Sequence, residues 1–129
     1  MDLINEIEIA KNARKNAYAP YTNYYVGCCL KAKSGKLYSG CNVENHGILS
    51  VCAERTAFVK ALSEGEKEFD SILVVGGPKG EELEECLPCG YCRQFMSEFT
   101  DKDFKIYTID NNNIKQYKMS DILPNSFKL

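Results

Sequence analysis

Two cysteine motifs constrain this chain most. Cys52-Ala53-Glu54 stands at the head of one helical pattern, and Pro88-Cys89-Gly90-Tyr91-Cys92 at the head of another. A buried thiol is ordinarily a small apolar filler. Thiols that reach one another are candidate metal ligands, and zinc takes them in a tetrahedron at about 2.3 Å. For Cys52 to meet Cys89 and Cys92, two helix N-termini distant in the chain must arrive at one edge of one sheet. A chain that alternates strands and helices can bring them there.

The rest of the chain reads that way. Leu3, Ile7, Ala10, Ala13 and Ala17 recur at helical spacing until Pro20 stops the pattern. Val26, Cys28, Leu30 and Ala32 alternate as a strand does, "KSGK" turns the chain, and 37–42 is the return strand. Ser50 is the predicted N-cap of a helix over 51–63 that ends near Gly65. "SILVVGG" is a strand buried on both faces. A polar loop leads to Pro88 and an amphipathic helix. Phe104, Ile106 and Thr108 mark a fourth strand, 115–119 a fifth, and "SDILP" a short last helix. The expectation is a single domain over 1–129. Its class is α/β, a three-layer α/β/α sandwich on a mixed five-stranded sheet, with parallel pairing in the strand-helix-strand core.

Composition narrows the functions. Of 129 residues, 44% are hydrophobic and 26% charged, which suits one globular domain. No apolar run is long enough to span a membrane, and the charged N-terminal stretch does not read as a secretory signal. A formal net charge of −2 argues against a nucleic-acid partner. Seven cysteines without a secretory signal read as reduced, cytoplasmic thiols, and an odd number cannot pair completely.

Cys89 and Cys92, at i and i+3, can hold one metal from one side, and Cys52 supplies a third ligand. Three protein ligands leave a fourth position for water, as catalytic zinc requires. Glu54, two residues past Cys52, can sit beside the metal without binding it and carry protons. A ligand, a spacer and Glu, followed later by Pro-Cys-x-x-Cys, is the signature of zinc deaminases. Arg55 is a cation placed to hydrogen-bond the thiolates. Two other readings stay open. Cys89-Gly-Tyr-Cys92 alone matches a thioredoxin-type redox pair, and Cys86 offers a fourth ligand for a structural zinc site. Cys28, Cys29 and Cys41 fall in strands and read as core.

From "AYAPYTNYYVG" through "GCNVEN", "CAERTA" and "PCGYCRQ" to "LPNSF", the chain resembles the small homotetrameric cytidine deaminases of pyrimidine salvage. The resemblance implies hydrolytic deamination of cytidine and 2′-deoxycytidine, with one zinc per chain on Cys52, Cys89 and Cys92 and Glu54 as the catalytic proton shuttle. It implies that Asn42 and Glu44 grip the ribose hydroxyls. Tyr24, where the family usually has Phe, would stack on the pyrimidine, and the backbone at Ala53 and Cys89 would contact the base. Phe127 would enter a neighbouring subunit's site in a homotetramer with shared active sites. Blasticidin-type nucleoside-antibiotic deaminases are the alternative substrate class. The chain departs from the family after "NVEN". Many members carry a Tyr there, whereas "HGILSV" is one residue shorter and places Ile48 or Leu49 in that region. His46, the sole histidine, reads as a surface loop residue.

Overall fold

Strand parity decides which side of the sheet each residue serves. In β1 (Tyr24–Ala32), Val26, Cys28, Leu30 and Ala32 face one side and Cys29 the other. In β3 (Phe69–Pro78), Ile72 and Val74 share the first side, Leu73 and Val75 the second. In β4 (Lys105–Asp110), Ile106 takes the first side, Tyr107 and Ile109 the second. Both faces of these strands are apolar because both are covered. A computed structural model describes residues 2–80 and 82–129, without the Ile48 side chain.

On the second side, α1 (Ile4–Arg14) buries Ala10 and packs Ile7 over Cys29, Leu73 and Tyr107. On the first side, α2 (Ala53–Ser63) buries Ala53, Ala57, Phe58 and Ala61. Beside it, α3 (Gly90–Ser97) buries Cys92 and Met96. Phe58 is fully buried, 4.9 Å from the Phe69 ring and in contact range of Phe95, Phe99 and Phe104. The short α4 (Met119–Ile122) closes that core with Met119 and Ile122. The result is the expected three-layer sandwich.

With β2 (Leu37–Cys41) and β5 (Asn113–Lys118) at the edges, the sheet runs β2-β1-β3-β4-β5. Among the strands of the described residues only β3 and β4 pair in parallel; β1 lies antiparallel to both β2 and β3, and β5 to β4. The β2–α2–β3 crossover thus steps over β1, which the hairpin has already paired with β2. Its two strands run in the same direction without touching. Both α2 and α3 therefore start from the rim where β2 and β3 end.

Several boundaries differ from the sequence reading; the fifth strand runs over Asn113–Lys118 rather than 115–119, and Met119 already belongs to the last helix. The first helix ends at Arg14, before Pro20. Its guanidinium turns to the sheet, Nε donating to the Tyr25 carbonyl at 2.8 Å and Nη2 to the Gly77 and Pro78 carbonyls at 2.8 and 2.9 Å. Ser50 does not cap α2; Cys52 is the N-cap, in extended conformation. Val51 is held in a two-way backbone bridge with Val43, both bonds 2.9 Å. The Ser50 hydroxyl is used within its own loop, accepting from the Asn45 N–H and donating to the Asn45 carbonyl, each at 3.0 Å.

Candidate active site

Each helix head delivers its cysteine as an extended N-cap residue, Cys52 on α2 and Cys89 on α3, with Cys92 one turn further on. The three Sγ atoms all lie within 4.8 Å of one another, and Cys52 and Cys89, 37 residues apart, stand 3.8 Å apart. Tetrahedral zinc at about 2.3 Å per bond separates two thiolate sulfurs by about 3.8 Å. The donor set and its spacing fit zinc. The burial is graded: Cys92 is buried, Cys52 half-buried and Cys89 exposed. One side of the cluster is therefore open to solvent.

Charge is focused on Cys52. A hydrogen bond from Cys92 holds its thiol down at about 5, with Arg55 and Cys89 adding to the pull. Cys92, the donor in that pair and itself largely desolvated, is held well above the ordinary thiol range. Arg55 Nη2 lies 3.8 Å from Cys52 Sγ and 3.2 Å from the Ser50 carbonyl. Its Nε is buried with no hydrogen-bond partner among the described residues. The positive ends of both helices point at the same thiols.

Glu54 is 3% exposed. Burial pushes its carboxyl up to about 7, and the neighbouring Cys52 charge adds to the push, against the opposite pull of its own backbone N–H. A carboxyl with that affinity can both take up and release a proton at neutral pH. A close approach of helix to strand fixes its position. A Cβ on Gly40 of β2 would run into the Ala53 carbonyl and stand 2.8 Å from the Ala57 nitrogen, so glycine lets α2 seat directly on the sheet. The Cys28 thiol donates to that same Ala53 carbonyl at 3.2 Å. Strand parity places Cys28 in the core but gives no signal of this bond.

Residues 3–108 match the family described as the cytidine and deoxycytidylate deaminase zinc-binding region. A cytidine deaminase of Halalkalibacterium halodurans is 40% identical over 129 residues, 98% of this chain and 95% of the relative. The chain belongs to the cytidine and deoxycytidylate deaminase family. A crystal structure of a cytidine deaminase from Burkholderia pseudomallei superposes with a TM-score of 0.87 at 39% identity, covering 98% of this chain and all of that one. A blasticidin-S deaminase of Bacillus cereus is more distant, 31% identical over 97 residues, 71% of this chain and 69% of the relative. Zinc is the metal of the deaminase family, and the three-thiol cluster provides its site.

Membership in the deaminase family disposes of the two other thiol readings. Cys86 is outside the ligand cluster. Its side chain packs over Gly76, where a Cβ would stand 2.8 Å from Cys86 Sγ, and burial pushes the thiol up to about 12. The Cys89–Cys92 pair is part of a three-sulfur set rather than an isolated dithiol.

The other sequence-predicted residues fall as follows. Tyr24 opens β1 with its ring against Gly76; burial holds its hydroxyl above the ordinary range, with Cys86 and Glu84 facing it. Asn42 is tied to β1, Oδ1 accepting from the Val26 N–H at 2.8 Å and Nδ2 donating to the Tyr24 carbonyl at 2.9 Å. Glu44 Oε1 accepts the Tyr21 and Thr22 N–H groups at 2.8 and 3.2 Å, and Oε2 accepts the Thr22 hydroxyl at 2.5 Å. The Thr22 bond holds the Glu44 carboxyl below its ordinary range. The sequence carries no signal for Thr22, because its contact spans two loops. Phe127 is 64% exposed, its carbonyl accepting from Gln94 Nε2 at 3.1 Å. His46 is exposed beside the short 3-10 turn Gly47–Leu49, and the Ile48 side chain lies outside the described ones.

Proposed function

We propose that this protein hydrolyses cytidine and 2′-deoxycytidine to uridine and 2′-deoxyuridine with release of ammonia. The observation that carries this reading is a buried carboxyl, Glu54, with an affinity near neutrality, two residues from a zinc-fitting thiol cluster. When bound, zinc lowers the pKa of a water to near neutrality and so supplies a nucleophile. Cys52, Cys89 and Cys92 are the ligands. Glu54 accepts the proton that the attacking water gives up and passes it to N3 of the ring as the bond from oxygen to C4 forms. The same carboxyl then carries the second proton to the departing amino group. The C4–N bond breaks and ammonia leaves. Arg55 keeps Cys52 in its thiolate form.

The Ala53 and Cys89 backbone at the two helix heads contacts the base, and the Tyr24 ring stacks on it. Asn42 and Glu44 take the sugar. Asn42 Nδ2 has one N–H left after Tyr24, and Glu44 Oε2 has one acceptor position left after Thr22. One donor and one acceptor suit a single hydroxyl, and that grip favours a plain nucleoside over a blasticidin-type antibiotic.

The 129 residues act as one domain and as a homotetramer in which Phe127 enters a neighbouring subunit's site. Exposed Tyr91, Val59 and Phe127 on the α2/α3 side support an apolar contact between subunits. Seven free cysteines support a reducing, cytoplasmic setting, and pyrimidine salvage is the role that matches the products. No helix among the described residues is long and apolar enough to cross a membrane.

The test is direct. Zinc-loaded protein is mixed with cytidine and the ultraviolet band followed. Conversion to the uridine spectrum is expected. An unchanged spectrum from protein holding one zinc per chain would overturn the substrate assignment.

A further inference from the structure

Cys89 and Cys92 are delivered by a segment, residues 82–88, that belongs to no helix or long strand. Such a segment orients metal ligands only if something fixes it. Its start is fixed by a bridge, the Glu84 N–H donating to the Gly76 carbonyl at 3.0 Å. Its end is fixed by Arg93, whose Nε donates to the Pro88 carbonyl at 2.7 Å and whose Nη1 donates to the Ile122 carbonyl at 2.7 Å. Between them stands Glu85.

The Glu85 side chain is the only one of this segment, among the described residues, with hydrogen bonds to both β4 and β5. Oε1 accepts a short hydrogen bond from the Tyr117 hydroxyl and a longer one, 3.4 Å, from the Thr108 hydroxyl. Oε2 pairs with Lys115 Nζ at 3.2 Å. The register explains the convergence. Lys115 lies opposite Thr108 and Tyr117 opposite Ile106, so all three donors rise from one face of the β4–β5 ladder. It is the face on which α2, α3 and the thiols lie. Thr108 is fully buried, and the Glu85 side chain is 27% exposed. Three donors on one carboxylate also pull its affinity for a proton below the ordinary range, Tyr117 first.

We propose that Glu85 is a positioning residue for the Cys89–Cys92 half of the metal centre: it holds the ligand-bearing segment against β4 and β5. It touches neither metal nor substrate. This role rests on the zinc reading of the thiols but not on the identity of the nucleoside.

The experiment uses zinc-loaded full-length protein and measures zinc release to a colorimetric chelator, with thermal unfolding of the metal-free protein alongside. Partners beyond the ligands typically change metal affinity by about 10–100-fold. E85A is expected to release zinc about ten-fold faster, over and above a modest loss of metal-free stability from its three lost hydrogen bonds. E85Q, whose amide oxygen still accepts from Tyr117 and Thr108, is expected to recover part of the difference. Y117F, at the sheet edge, removes one donor without touching the segment and is expected to fall between wild type and E85A. If E85A does not fold, Y117F decides. Release at the wild-type rate from folded E85A, or from Y117F in its place, would overturn the proposal, and a fall in metal-free stability alone would make Glu85 a fold-stabilising residue only. Wild-type protein unable to hold zinc would overturn the zinc reading and this role with it. Wild-type protein that holds zinc but leaves cytidine unchanged would count against the substrate alone, and the zinc-release comparison would still decide the role of Glu85.

Discussion

Arg55 Nη2 stands 3.8 Å from Cys52 Sγ, while its Cζ lies 4.2 Å from the centre of the Tyr91 ring. One guanidinium thus spans the two helices that carry the metal ligands. R55Q keeps a polar, hydrogen-bonding end on a shorter side chain and removes the charge that stabilises the thiolate. Zinc affinity and kcat/KM are expected to fall by about 10–100-fold. A chelator titration beside steady-state assays checks this; unchanged zinc affinity would leave Arg55 a packing residue.

In the proposed mechanism Glu54 carries protons and does not bind the metal. E54Q is expected to retain one zinc per chain and to lose at least about 10²–10⁴-fold in kcat, the usual worth of a general acid–base group. Metal analysis and turnover are measured on one sample. Robust turnover by E54Q would remove Glu54 from the mechanism.

The hydrogen-bond inventory at Asn42 and Glu44 leaves one donor and one acceptor, enough for one sugar hydroxyl. Because 2′-deoxycytidine is itself a proposed substrate, 3′-deoxycytidine is the analogue expected to lose substantially, by about 10²-fold in kcat/KM, the value of one charge-assisted hydrogen bond. The other is expected to stay within about three-fold of cytidine, since it forfeits no bond to this pair. Equal losses for both analogues would mean that the pair grips two hydroxyls.

Glu85 also predicts a pH dependence of stability. Its folded affinity for a proton is depressed, so its contribution is present above the unfolded carboxyl value of about 4.3. That contribution is lost as pH falls through the lower, folded value. Denaturant titrations from pH 6 towards pH 3 are expected to show wild type losing stability more steeply than E85Q, whose amide does not titrate. Parallel curves would place the acid sensitivity elsewhere.

Phe58 is fully buried among four aromatic neighbours and joins α2 to β3 and α3. F58A is expected to cost about 3–5 kcal/mol, read from chemical denaturation. A loss under about 1 kcal/mol would mean that the core refills the space.

The thiols were legible because their chemistry is local: Cys-x-Glu and Pro-Cys-x-x-Cys keep their meaning as strings. The two faces of the strands were legible because parity fixes them. The place of β1 between β2 and β3 was not, since adjacency of strands is set by pairing across the chain rather than by pattern along it. The Ser50 cap failed for a related reason. Its hydroxyl had a nearer claimant in Asn45, and the Val43–Val51 bridge held the backbone extended. Thr22, Cys28 and Glu85 act through partners on other elements, so no spacing announces them.

The helices α2 and α3 both begin at the rim where β2 and β3 end, and this sets the thiols at the other end of the sheet from the β1–β2 turn. That turn meets the segment after α2, the Lys33 N–H donating to the Glu68 carbonyl at 2.9 Å and the Ser34 hydroxyl to Glu66 Oε2 at 2.9 Å. That end is a natural place for inserted sequence. A peptide tag or fluorophore at residues 33–36 lies a full strand length from the thiols, so labelling or immobilisation there is expected to leave zinc binding and turnover intact.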